Sequence, residues 1–178
     1  MTNFVYLGCS LDGFIARKDG AVDFLDAVDP APDDEDYGWE DYIGGIDGLI
    51  MGRNSYDMVL GYGQWIYGDR KVMVLTTRDI EIPDFVEGEI IPFEGKPEEA
   101  VQCMNEMGCQ NLYIDGGKVV QDFINDGQVD ELIITMVPII IGEGIPLFAN
   151  INVEKRLDLK NVTKYDNGLL TVHYNLKK

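Results

Sequence analysis

The chain has 178 residues, which suits one domain with one hydrophobic core. It carries 14 Lys and Arg against 32 Asp and Glu, giving a formal net charge of −18. A surface this acidic repels nucleic-acid phosphates and anionic lipids, so we expect neither as a partner. The longest apolar run, 132–141, is well short of the roughly 20 residues of a membrane-spanning helix. We therefore expect a cytoplasmic protein.

Cysteine and histidine are too few for two common kinds of catalytic centre. The chain has three cysteines, none of them in a C-x-x-C pair, and one histidine, His173. A zinc site built from these residues is not expected, nor is any other metal site. His173 lies in an alternating strand pattern near the C-terminus, which argues against a Ser-His-Asp hydrolase.

Short apolar runs alternate with amphipathic segments from the start of the chain. The first predicted strands cover 4–10 and 48–52. Between them, the acidic segment 29–41 is predicted to be a solvated loop that runs into a helix N-terminus, where carboxylates suit the helix dipole. The second strand leads directly into a helix over 53–60, which ends at Gly61.

The same alternation continues through the middle of the chain. A strand over 71–76 precedes a helix that begins at Pro97 and ends before Gly108. A strand over 111–115 then leads through two glycines into a helix with a continuous apolar face. The next strand covers 129–137. Strands that alternate with helices predict a mostly parallel sheet with helices on both faces, a three-layer α/β/α fold.

The C-terminal segment predicts an antiparallel hairpin at one edge of this sheet. Asn167 and Gly168 form a two-residue turn signal, and apolar residues alternate with polar ones over 170–176. No repeat, long linker or second core is visible, so residues 1–178 are predicted to form a single domain.

Three predicted strands end in turns suited to anions, at 51–55, 76–78 and 115–120. Ligands of open parallel sheets bind outside the carboxyl ends of the strands, and helix N-termini there offer free N–H groups. Each turn also carries one cation: Arg53, Arg78 and Lys118. Together they predict a polyphosphate site. Neither G-x-G-x-x-G nor a G-x-x-x-x-G-K-[ST] loop occurs, so this is neither the usual Rossmann fingerprint nor an NTPase loop.

Several segments, by their order and spacing, carry a family resemblance. The first four are S-L-D-G-F-I-A at 10–16, G-A-V-D-F at 20–24, L-I-M-G-R at 49–53 and Y-I-D-G-G at 113–117. The fifth covers 129–148 and contains V-D-E-L at its start, Pro138, and G-E-G-I-P-L-F at its end. The sequence resembles the dihydrofolate reductase-like superfamily, most closely the reductase domain of riboflavin biosynthesis in its short, stand-alone bacterial form. The resemblance implies a reductase, acting on 5-amino-6-(5-phosphoribosylamino)uracil, with NADPH as hydride donor. Since this family often pairs, it also implies a homodimer.

The resemblance assigns cofactor roles to residues that match the family's motifs. The pyrophosphate and adenosine side would lie at Gly52, Arg53, Asn54 and Ser55, and at Gly116, Gly117, Lys118, Val119 and Val120. The ribose 2′-phosphate would meet Thr76, Thr77 and Arg78. Backbone groups near Cys9, Ile15 and Ala16 would hold the nicotinamide carboxamide, and 20–24 would be the loop that closes over it.

Substrate and proton-transfer roles leave alternatives open. Dihydrofolate reductases use a helix carboxylate upstream of the Met-Gly-Arg strand, and Asp36 falls at that position; Asp23 in the closing loop is the other candidate. The residues expected to contact the substrate are Phe24, Trp39 and Glu40. A substrate phosphate would need further cations, for which Arg17, Lys18 and Arg70 are available. The alternative functions are a reductase of pterins or folates, and an NADPH-binding protein without catalysis.

Overall fold

The structure, a computed structural model, describes residues 1–28, 35–152 and 154–177. Its centre is an eight-stranded sheet in the order β5-β4-β3-β6-β1-β7-β10-β9, beside which β2 and β8 form a small separate pair. The strands are β1 Thr2–Ser10, β2 Phe14–Ala16, β3 Gly48–Gly52, β4 Lys71–Leu75, β5 Ile90–Phe93, β6 Asn111–Asp115, β7 Glu131–Val137, β8 Ile145–Pro146, β9 Leu157–Lys164 and β10 Leu170–Leu176. The helices are α1 Trp39–Gly44, α2 Arg53–Leu60, α3 Pro97–Glu106 and α4 Gly117–Asn125, with a 3-10 turn at Asp23–Asp26.

The sheet is parallel from β5 to β7 and antiparallel from β7 to β9. The carboxyl ends of β1, β3, β4, β6 and β7 therefore lie along one edge, which we call the carboxyl edge. The predicted mixed, mostly parallel sheet with a C-terminal antiparallel hairpin is confirmed.

Helices cover both faces of the sheet, as the three-layer prediction requires. On one face α3 and α4 contribute Ala100, Val120 and Phe123, none of them exposed. On the other face Tyr56 of α2 is fully buried, and Tyr42 of α1 packs against the same cluster. Fixing the sheet from both sides makes the carboxyl edge a rigid base for a ligand site.

Three short strands escape sequence-based prediction. Strand β5 contains Pro92, which cannot donate to a ladder and is tolerated because β5 is an edge strand. Strands β2 and β8 have three residues and two residues, too few to show a periodicity. In the predicted acidic loop, residues 29–34 lie outside the described residues, and α1 begins at Trp39. Among the described helices, none has the length and apolar character needed to cross a membrane.

Candidate active site

Two glycine turns meet at the carboxyl edge. Gly52 ends β3 and precedes α2, while Gly116 follows β6 and precedes α4. Gly116 has a φ of +95°, and a Cβ atom there would lie 2.6 Å from the Ser55 hydroxyl oxygen. A Cβ atom on Gly52 would lie 3.2 Å from Val119. The turns are thus packed together, with the N-termini of α2 and α4 side by side, a suitable arrangement for an anion.

The small β2–β8 sheet lies against the second glycine turn. A Cβ atom on Gly117 would lie 2.7 Å from Ile15 of β2 and 3.3 Å from Ile145 of β8. Cys9 and Ala16 are buried nearby in the chain, and burial raises the pKa of the Cys9 thiol to about 11. Because the Cys9 thiol is neutral and buried, the segment around Cys9 would contact a ligand through its backbone groups.

The cations of the three turns differ in their hydrogen-bond and ion-pair partners within the protein. Arg53 donates to Asp57 at 2.7 Å and to the carbonyl of Asp79 at 2.7 Å. Lys118 contacts both carboxylate oxygens of Asp122 at 2.7 Å. The Arg78 side chain is exposed and has no hydrogen-bond or ion-pair partner among the residues that the structure describes.

The other residues predicted for the cofactor lie around these turns. The hydroxyl oxygen of Thr76 accepts the Arg78 N–H at 3.0 Å, which closes the turn after β4, and Thr77 and Asn54 are exposed. Val120 is different: its side chain is fully buried and its N–H donates to the Gly116 carbonyl at 2.8 Å. Val120 therefore holds α4 in place and offers no side-chain surface to a ligand.

Both carboxylates predicted to handle a proton are held as anions. Asp23 receives a bidentate contact from Arg17, at 2.6 Å and 2.9 Å, and the hydrogen bond from Arg17 lowers its pKa. Asp36 accepts the N–H groups of Glu40 at 2.7 Å and Gly38 at 2.8 Å, which lower its pKa. A carboxyl group with a lowered pKa carries no proton near neutral pH and is a poor general acid.

Asp115, at the end of β6, has a pKa that is shifted in the opposite direction. Burial raises the pKa of its carboxyl group, although hydrogen bonds from Tyr113, Ser55 and the Gly116 N–H oppose the shift. The Tyr113 hydroxyl lies 2.8 Å from the Tyr6 carbonyl oxygen and 3.1 Å from Asp115. A hydroxyl has a single hydrogen. Tyr113 therefore cannot donate fully to both oxygens, which weakens the hydrogen bond that opposes the raised pKa of Asp115.

Sequence reasoning places Asp115 at the end of a strand and at the start of an anion-binding turn, and gives it no catalytic role. The signal that could have found it is an acid directly before a glycine pair at the carboxyl end of a buried strand. That position places a titratable group beside a predicted anion-binding turn.

Aromatic rings form a wall next to Asp115, on the α1 side of the sheet. The rings of Tyr6 and Tyr42 stack at 4.4 Å, with their planes 19° apart. Trp39 lies 5.6 Å from Tyr6 and 6.4 Å from Tyr113, measured between ring centroids. We call Tyr6, Trp39, Tyr42 and Tyr113 the aromatic wall. Tyr113 is buried, whereas Tyr6, Trp39 and Tyr42 are half-buried, so these three rings keep some surface beside a carboxyl group.

The remaining predicted substrate contacts fall in different environments. Glu40 is exposed at the start of α1, next to Trp39. Phe24 is only 1% exposed, in the 3-10 turn of the predicted closing loop. As placed, the Phe24 ring packs within the protein and presents almost no surface to a ligand.

The cations considered for a substrate phosphate are engaged within the protein. Arg70 donates to the carbonyls of Ile43, Ile46 and Tyr67 at 2.8 to 2.9 Å, so its role is structural. Lys18 pairs with Glu143 and Arg17 with Asp23. A cleft of about 310 Å³ lies between these loops and is lined by Arg17, Lys18, Asp19, Ile141 and Glu143.

A mostly parallel sheet covered on both faces, with two glycine turns in contact at its carboxyl edge and an antiparallel C-terminal hairpin, defines a protein of the dihydrofolate reductase-like fold. The chain belongs to the RibD C-terminal domain family, whose profile matches residues 4–171. It is 34% identical to the uncharacterised protein YwjB of Bacillus subtilis (strain 168) over 174 residues, which cover 96% of this chain and 95% of YwjB.

Solved structures agree with this assignment. A putative riboflavin biosynthesis protein from Shewanella sp. PV-4 is 35% identical and superposes with a TM-score of 0.91, covering 100% of both chains. A deaminase and 5-amino-6-(5-phosphoribosylamino)uracil reductase from Thermotoga maritima is 15% identical, with a TM-score of 0.73. That similarity covers 99% of this chain and 56% of the Thermotoga chain, and it shows the shared fold.

Proposed function

We propose that this protein is an NADPH-dependent reductase of a small heterocyclic substrate. The observation that carries the proposal is the contact between the two glycine turns. At that contact a side chain on Gly116 would collide with Ser55, and the N-termini of α2 and α4 are adjacent. We expect this cradle to bind a pyrophosphate through backbone N–H groups.

The residues at the cradle fit the parts of a dinucleotide phosphate. Gly52, Ser55 and the first turn of α4 would hold the pyrophosphate. Arg78, which has no ion-pair partner among the described residues, would meet the 2′-phosphate beside Thr76 and Thr77. NADPH, when bound, supplies the hydride. Backbone groups of the Cys9 and Ile15 segments would orient the nicotinamide ring.

Asp115 is the group that we propose handles the proton. Its raised pKa favours a protonated carboxyl group, whereas the pKa values of Asp36 and Asp23 are lowered. Asp115 also adjoins both the second glycine turn and, through Tyr113, the aromatic wall. A proton held there lies between the proposed cofactor cradle and the surface proposed for the substrate.

The aromatic wall supports a planar ring as substrate. Family membership points to 5-amino-6-(5-phosphoribosylamino)uracil, the compound reduced by the Thermotoga enzyme of the same fold. The engagement of Arg70 with three carbonyls, and of Arg17 and Lys18 with carboxylates, favours a second candidate without a phosphate, such as a pterin. The homodimer and the cytoplasmic location stay predictions.

The test begins with parallel fluorescence titrations of the protein with NADPH and NADH. We expect tight binding of NADPH and weak binding of NADH. Loss of NADPH absorbance is then measured with the uracil compound and with dihydropterins, for the wild type and Asp115→Asn. Binding without turnover of any substrate would support the non-catalytic alternative, and absence of nucleotide binding would refute the proposal.

A further inference from the structure

The tip of the C-terminal hairpin, β9 and β10, reaches the segment that begins α1. Strand β10 starts opposite Met136, near the carboxyl end of β7, so the hairpin turn lies at the carboxyl edge. From this turn the Tyr165 hydroxyl donates to the Tyr37 carbonyl at 3.2 Å, and the Asn167 side-chain amide donates to the Tyr37 hydroxyl at 2.7 Å. Residues about 130 positions apart are thereby joined directly beside the proposed site.

A third contact reaches Tyr37 from the sheet. The Tyr6 hydroxyl donates to the same Tyr37 carbonyl at 3.1 Å. Burial raises the pKa of Tyr6 to about 12, so this hydroxyl keeps its proton. The rings of Tyr37 and Tyr165 also meet edge to face, with centroids 5.0 Å apart. We call Tyr6, Tyr37, Tyr165 and Asn167 the tyrosine clasp.

Tyr37 has a backbone conformation that needs such support. Its φ is +57°, in the left-handed region that residues with a bulky side chain seldom adopt, and Gly38 follows with a φ of +82°. The two left-handed residues turn the chain immediately before Trp39 begins α1. Strained conformations of this kind persist where surrounding contacts hold them, and they are frequent at functional sites.

Helix α1 has only six residues, so the position of its first residue governs the position of the rest. Its first residue is Trp39, which contacts Tyr6 and Tyr113 in the aromatic wall. Tyr6 belongs to both the wall and the clasp, and it links the two sets of contacts through one side chain.

We propose that the tyrosine clasp positions the substrate-binding wall: Tyr165 and Asn167 hold Tyr37 in its left-handed conformation and thereby set Trp39 against Tyr6. The consequence for substrate binding rests on the proposed reductase function, whereas the placement of Trp39 does not. The hairpin residues are positioning residues that act through Tyr37.

The test uses Trp39 as its own reporter. In a Trp65→Phe background Trp39 is the sole tryptophan, and Tyr165→Phe and Asn167→Ala are compared with Tyr174→Phe. Tyr174 is the matched control because it lies on the same hairpin and its hydroxyl bonds to no residue that the structure describes. Emission spectra are recorded well below the melting temperature of each variant.

We expect a shifted Trp39 emission in Tyr165→Phe and Asn167→Ala, and an unchanged spectrum in Tyr174→Phe. Loss of one neutral hydrogen bond should raise KM by about threefold to tenfold, with kcat and the NADPH dissociation constant nearly unchanged. A lower melting temperature with unaltered emission and KM would overturn the proposal, since the contacts would then be merely stabilising. If the wild type turns over no substrate, the proposed function is wrong. The emission spectra alone then test whether the tyrosine clasp positions Trp39.

Discussion

Replacing Arg78 with alanine gives a sharp test of the proposed cofactor orientation. The Arg78 side chain is exposed and has no hydrogen-bond or ion-pair partner among the described residues, so its removal breaks no internal ion pair. Arg53 is different, since it bonds both Asp57 and the Asp79 carbonyl. The Arg78 variant should therefore keep the melting temperature of the wild type, and any change in affinity reports on ligand contacts alone.

The expected loss is specific to the phosphate on the ribose. A hydrogen bond to a charged group contributes about 1.5–3 kcal/mol, and the exposure of Arg78 favours the lower figure. About 1.5 kcal/mol corresponds to about a tenfold weaker affinity. NADPH affinity should fall by this factor in Arg78→Ala, while NADH affinity should stay the same.

The assay is a fluorescence titration of both nucleotides at constant ionic strength. Arg156→Ala is the matched control, because it removes the same charge just before β9, at the opposite end of that strand from the hairpin turn. Equal losses for NADPH and NADH, or no loss for either, would refute the assignment of Arg78 to the 2′-phosphate. A similar loss of NADPH affinity in Arg156→Ala would show that the loss in Arg78→Ala comes from the change in net charge and not from a contact with the 2′-phosphate.

Three further predictions concern the second glycine turn, Arg70 and Asp115. Gly116→Ala should abolish NADPH binding and lower the melting temperature, because the new Cβ would lie 2.6 Å from the Ser55 oxygen; Gly142→Ala, at a φ of +78° with no atom within 4 Å, should show backbone strain alone. Arg70→Ala should lower the free energy of unfolding in urea by about 3–5 kcal/mol, since it leaves three half-buried carbonyls without their donor; an unchanged urea midpoint would contradict this role. Asp115→Asn should reduce kcat by about 100-fold or more and keep NADPH affinity. The folded-state pKa of Asp115 is raised, so its ionisation lowers the free energy of unfolding as the pH rises above the ordinary carboxyl range of about 4. In urea titrations across pH, the free energy of unfolding should therefore fall less steeply in the variant than in the wild type. The same dependence on pH in both proteins would contradict the raised pKa.

The sequence predicts the centre of the sheet because each strand and its following helix are adjacent in the chain. The glycine turns at Gly52 and Gly116 were found for the same reason, since a strand, a glycine and a helix start are local signals. That the turns touch each other follows from β3 and β6 being neighbours, which only the folded sheet establishes. The edge strand β5 was missed because Pro92 is unusual in a strand.

Protonation could not be predicted in the same way. Asp23 lies in a predicted loop and Asp115 at the end of a predicted strand, and neither position indicates a pKa. In the structure Arg17 pairs with Asp23, whereas burial raises the pKa of Asp115. Each environment is set by the folded chain. The role of Tyr37 depends on residues about 130 positions away and leaves no local pattern.

Arg70 illustrates how selection can preserve a charge that takes no part in chemistry. Its guanidinium joins the end of α1, the loop between α1 and β3, and the segment before β4 through three carbonyls. Lysine lacks the planar fork needed to reach all three. Across related genes arginine should therefore persist at this position as firmly as any ligand-binding residue. Invariance there would record the demands of folding, and transferring a phosphate-binding role to it by alignment would mislead.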